Sequence, residues 1–146
     1  MRVLGIAAIA AVALVTGPVA SAGEKKACTI VTAADASKAL HAKVGAGKHS
    51  TTGGFDRCTY KSGRKSVVVA TRPIGRKTFA ASVHAITGTV LQATNVSQNA
   101  WVTFVSNGIE LMIWHNGTEV DIHVLGEGDD ASTVALAVAI PALKRF

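Results

Sequence analysis

Residues 100–126 read AWVTFVSNGIELMIWHNGTEVDIHVLG, and the reading of this stretch decides the fold. It holds two Asn-Gly pairs, Asn107-Gly108 and Asn116-Gly117, each set between runs of alternating apolar residues. Asn-Gly favours the type I′ hairpin turn, whose two central residues both need positive φ. The stretch therefore predicts a three-stranded antiparallel meander. With Asn107 and Gly108 as the first turn, Ser106 faces Ile109, Phe104 faces Leu111, Val102 faces Ile113 and Trp101 faces Trp114. With Asn116 and Gly117 as the second, Ile113 faces Val120, Leu111 faces Ile122 and Ile109 faces Val124. Side chains alternate with period two, so Val102, Phe104, Ile109, Leu111, Ile113, Val120, Ile122 and Val124 share one face. That face is wholly apolar and must be buried. A one-residue slip would turn every one of these residues to water, which holds the register. The opposite face is mixed: Trp101 beside Trp114, then Thr103, Met112 and Val105, with Glu110, Glu119, Asp121 and His123.

Upstream, residues 57–61 and 66–71 form a second hairpin around Ser62-Gly63-Arg64, and Cys58, Tyr60, Val67 and Val69 fall on a common face. Arg72-Pro73 ends it, because proline lacks the ladder donor. Three helices complete the pattern. The first runs over 33–42, with Thr32 as N-cap, Asp35 three residues on, and Ala36, Ala39 and Leu40 inward. The second covers 75–87, with Phe79, Val83 and Ile86 at helical spacing and Gly88 as its stop. The last begins near Asp129 or Asp130, buries Leu136, Ile140 and Leu143, and ends or kinks at Pro141. Residues 45–54, GAGKHSTTGG, read as a polar loop. They are no phosphate-binding loop: the first glycine is misplaced, His49 holds the Ser/Thr position, and the stretch follows a helix instead of a strand. Residues 89–99 read as an irregular connection with one short strand near Val96. The order is α-β-β-α-β-β-β-α: an α+β domain in which a two-stranded hairpin and a three-stranded meander form an antiparallel sheet with three helices on one face.

At the N-terminus, Met1-Arg2 precedes an apolar run over 3–15, a Thr16-Gly17-Pro18 break and Ala20-Ser21-Ala22. This is the pattern of a secretory signal peptide cleaved after Ala22, with a run too short to span a bilayer. Residues 23–146 are then a single domain of secreted, extracytoplasmic location, soluble once cleaved. The 146-residue chain carries +6 at neutral pH, of which cleavage removes only Arg2. Its two cysteines, Cys28 and Cys58, allow one internal pairing, and the exported setting favours it. Closing a loop of about 30 residues would stabilise the fold by about 3.5 kcal/mol through loop-closure entropy.

The segments CTIVTAADASKAL and CTYKSG together resemble the secreted and lipoprotein domains of unknown function that are common in actinobacterial cell envelopes. Cys28, Thr32, Cys58 and Tyr60 carry the resemblance. The chain departs from it in lacking a lipid-attachment box, since Lys25, Lys26 and Ala27 precede Cys28, and in having TNVSQNAW where a Gly-Asp element is expected. The resemblance implies a fold and an envelope location, and brings no catalytic residue.

The chemistry-bearing residues are few. No Gly-x-Ser-x-Gly elbow, zincin helix or Cys-x-x-Cys pair is present. His115 and His123 lie on adjacent strands but on opposite faces. Glu110 faces His123, with Asp121 two residues from it; this reads first as a cross-strand charge pair, and otherwise as a general base or metal ligand set. We therefore expect no catalytic residue, no metal and no cofactor. The basic residues concentrate between Lys38 and Lys77, and Arg57, Lys61, Arg64 and Lys65 make a candidate basic face for an anionic wall polymer or lipid headgroup. Nucleic acid is not expected, because few aromatics interleave with the basic residues. Trp101, Met112 and Trp114 make a candidate apolar contact face. The reading is a non-enzymatic envelope binding domain for an envelope protein or apolar ligand. The alternatives are an inhibitor of a secreted hydrolase, or a small metal-dependent hydrolase using Glu110, Asp121 and His123.

Overall fold

A computed structural model describes residues 26–146; the expected leader, residues 1–22, lies outside them. The fold is α+β, with one antiparallel sheet of seven strands and four helices. In chain order these are α1 (Ala27–Ile30), α2 (Ala33–Ala39), β1 (Lys48–Thr52), β2 (Phe55–Ser62), β3 (Lys65–Pro73), α3 (Arg76–His84), β4 (Val90–Gln92), β5 (Ala100–Val105), β6 (Gly108–His115), β7 (Thr118–Leu125) and α4 (Ala131–Leu143). The strands lie side by side as β1-β2-β3-β7-β6-β5-β4. Two meanders are thus joined along a β3–β7 seam. Among the described residues no helix is long and apolar enough to cross a membrane.

The second turn of the meander follows expectation. Asn116 (φ 47) and Gly117 (φ 80) sit at positive φ, and Ile113, Leu111 and Ile109 face Val120, Ile122 and Val124. The first does not. Its loop is Ser106-Asn107, Val105 faces Gly108, and Trp101 faces Met112, with Trp114 only diagonal to it. The shift moves both loop positions back by one and keeps the parity, so each residue stays on its expected face. Gly108 is taken into β6 by proximity: a Cβ there would stand 1.8 Å from the Val124 carbonyl oxygen.

The inner face carries the main core. Ile109, Leu111, Ile113, Val120, Ile122 and Val124 are buried there against Tyr60, Val67 and Val69, under α1, α2 and α4. Burying each such side chain stabilises by about 1.5–3 kcal/mol. Val102 is only partly buried, and Phe104 is 64% exposed, since it stands at the strand end beyond the reach of α4. A capping box starts α2: Asp35 N–H donates to Thr32 Oγ1, and Thr32 N–H donates to the Asp35 carboxylate. Cys28 and Cys58 are disulfide-bonded, pinning α1 to β2. Gly47 fits against this bridge, where a Cβ would lie 2.3 Å from Cys58 Sγ. Tyr60 closes the same corner by donating its hydroxyl to the Val31 carbonyl at 2.6 Å.

Four expectations are corrected. The stretch read as a polar loop contains β1, an edge strand exposed throughout, turned into β2 by Gly53 and Gly54 at positive φ. The short strand of the connection lies at 90–92 instead of near Val96. In α4 the buried side is Ala131, Val134, Ala135, Val138, Ala139 and Ala142, while Ile140 is 51% exposed. The helix packs closely between α2 and the sheet, which admits small side chains, and it continues through Pro141. Finally, the helices do not share one face. The chain must pass from β3 to β4 over β7, β6 and β5, and α3 makes that passage on the outer side. There Phe79 and Val83 pack on Met112, Trp101 and Trp114.

Candidate functional site

The outer face divides at α3. Under the helix lies the second core, in which Met112 is buried and Trp101 meets Phe79 with ring centroids 5.5 Å apart. Trp114 Nε1 donates to the Ile74 carbonyl at 3.0 Å, and Arg76 lies over its ring. The contact face expected from Trp101, Met112 and Trp114 is therefore closed from within the chain. Its aromatics were correctly placed on one side, but their partner is α3.

Beside α3, strands β2, β3, β7 and β6 present a polar basin. One row across the sheet runs Arg57, Ala70, Asp121, Met112, and the neighbouring rows carry Arg72 with Glu119 and His123 with Glu110. Arg72 Nε donates to the buried Glu119 carboxylate. Phe55 floors this end, with the Arg72 guanidinium 4.3 Å and that of Arg57 5.7 Å from its centroid; each contact adds about 0.5–1 kcal/mol.

The cross-strand pair derived from the register is present: His123 Nε2 stands 3.2 Å from Glu110 Oε1. The hydrogen bond from His123 holds the Glu110 carboxyl below its usual range, against the opposing effect of burial. Asp121 behaves in the opposite way. It is 6% exposed, and its Oδ1 is buried without a hydrogen bond. Burial pushes its pKa up to about 8, with the charges of Glu119 and Glu110 adding and those of Arg72 and Arg57 opposing. A carboxyl desolvated beside two like charges favours its neutral form. Arg57 Nε is likewise buried without a hydrogen bond. One ligand atom each from Glu110, Asp121 and His123 lies within 4.8 Å of the others.

The four residues of the candidate basic face separate. Arg57 turns into the basin, Lys61 and Arg64 stay exposed at the hairpin end, and Lys65 alternates to the other face, where it binds Glu127 at 2.9 Å. Elsewhere His49 pairs with Asp56 at 2.8 Å, and Asp56 also accepts the Ala27 N–H. His115 stacks edge-on with Phe146 on the inner side, opposite His123 as expected.

The inner face has its own opening. Where α4 stops short of β5 and β4, a groove of 330 Å³ is lined by Leu91, Val102, Ile109, Leu111, Ala135 and Leu136, with Gln92, Asn95 and Ser132 among its polar residues. Leu91 is 50% and Phe104 64% exposed beside it. The sequence hid this surface, because the alternation that places Phe104 inward does not say where the covering helix ends. No protein-family model, curated protein or solved structure matches this chain.

Proposed function

We propose that the protein is an exported, non-enzymatic binding domain of the cell envelope that holds an extended apolar segment of a partner protein. The observation carrying this reading is the groove between α4 and the β4–β5 edge, with Leu91 and Phe104 open beside it. Apolar side chains grouped at an opening mark contact sites in globular proteins. The geometry also favours a strand-like partner. Among the described residues β4 ends the sheet and no strand pairs with its free edge, so an extended segment can add to that edge while its alternate side chains enter the groove. The other edge, β1, is polar and carries Lys48, which discourages pairing.

Export is supported by the apolar leader pattern of residues 3–15, by the Cys28–Cys58 disulfide, and by the resemblance to actinobacterial envelope domains. Lys61 and Arg64, exposed at the β2–β3 turn, would add attraction to anionic wall or headgroup material, an effect screened by salt. Cross-linked capture from the producer's envelope fraction tests the groove. Wild type should retain a protein that a Leu91→Asp/Phe104→Asp variant loses, and that a Lys61→Ala/Arg64→Ala variant keeps. Equal capture by the groove variant and wild type would remove this reading. Mass spectrometry of the culture medium should find a chain beginning at Gly23.

A further inference from the structure

We propose that Glu110, Asp121 and His123 form a binding site for a divalent first-row transition cation, zinc foremost. The inference is independent of the groove, which lies on the other face of the sheet.

Three observations converge. First, the donor set is right for such an ion: one imidazole nitrogen and two carboxylates suit zinc, manganese or cobalt, and contain no soft sulfur. Second, the spacing is close. Around a cation held at about 2.0–2.2 Å by each donor, tetrahedral ligand atoms stand roughly 3.4 Å apart. Glu110 Oε1 and His123 Nε2 are already 3.2 Å apart, and the whole set lies within 4.8 Å. Asp121 must close by at most about 1.4 Å, within the reach of a side-chain rotation. Third, Asp121 Oδ1 is buried with no hydrogen bond, although buried polar atoms are nearly always paired.

The surroundings select this basin over the other histidines. Glu119 is spent on Arg72. Glu110 and Asp121 thus face His123, with Arg57 and the Glu119-paired Arg72 as the nearby cations. His49 has one carboxylate, Asp56, and no other described group of three meets ligand spacing. All three donors project from β6 and β7, paired strands near the sheet centre, so the framework is rigid where a loop site would not be. Glu110 and His123 keep part of their side chains exposed, which leaves a path for the ion and a coordination position for water.

Titration of chelator-treated protein with Zn²⁺, followed by calorimetry and thermal unfolding, tests the site. The expected result is one ion per chain and a higher melting temperature in its presence. His123→Ala and Asp121→Asn should each weaken binding by about tenfold or more, while His49→Ala binds as wild type does. Mn²⁺ added to wild type should broaden the His123 imidazole resonances first, which needs no variant to fold. A Kd weaker than about 1 mM, binding unchanged in both site variants, or broadening centred on another histidine would each overturn the proposal.

Discussion

The two faces of the sheet share seven strands but bury their residues by different means. On the inner side three helices and a disulfide close a core of aliphatic residues whose polar atoms are hydrogen-bonded, as Tyr60 is to Val31. On the outer side one nine-residue helix, α3, covers a strip, and next to it charged groups are buried against one another. A dry core is held by area; a polar basin is held by the pairing of its charges, and one unpaired carboxyl matters more there than a missing methyl. The inner side therefore supplies most of the stability, while the outer basin keeps a buried carboxyl oxygen without a hydrogen bond.

Mutations can break this contrast. Ile122→Ala, at the centre of the inner face, should cost about 4 kcal/mol in urea unfolding; a loss under about 1 kcal/mol would mean the inner core is loosely packed. Phe79→Ala should cost about 3 kcal/mol but act locally. Amide exchange should rise in α3 while β3 and β7 stay protected, and uniform acceleration would show the strap to be part of the global core.

Asp121 provides a test by pH in the metal-free protein. Its folded pKa of about 8 exceeds the unfolded value of about 3.9, so the folded state binds the extra proton. The sign follows: its contribution is complete below about pH 4 and is lost as pH rises towards about 8. Asp35, Asp56 and Glu110 have lowered values, and their contributions are lost instead as pH falls through the acid range. Asp121→Asn should flatten the decline between pH 5 and 8, leaving the variant about 1–2 kcal/mol more stable than wild type at pH 8. An unchanged slope would show that Asp121 ionises freely. The smallest effect belongs to Phe104→Ser, which should alter stability by less than about 0.5 kcal/mol. A larger loss would place Phe104 in the core.

What the sequence disclosed follows the same division. The inner stripe was legible because alternation and Asn116-Gly117 agree on one register. The Thr32 N-cap and the disulfide were also readable, since each rests on residues whose chemistry leaves few choices. Asn107-Gly108 misled by one loop position because close approach to Val124 claimed its glycine. β1 was missed because Lys48–Thr52 has no buried face to alternate, although Gly53-Gly54 is itself a two-residue hairpin signal. In α4 apolar residues run nearly all round, so periodicity cannot choose the buried side. At the candidate site, the Glu110–His123 pairing was readable from register, whereas the burial of Asp121 depends on neighbours from several strands and on no local pattern.

The β3–β7 seam has a consequence for the order of assembly. Hairpins β1-β2-β3 and β5-β6-β7 each close through short turns, but the seam joins strands separated by all of α3, β4, β5 and β6. Loop-closure entropy delays such pairing relative to local ribbons. Until the two ribbons dock, each leaves an unfilled backbone edge at what becomes the middle of the sheet, and the nascent molecule is most open to pairing with its own copies during that interval.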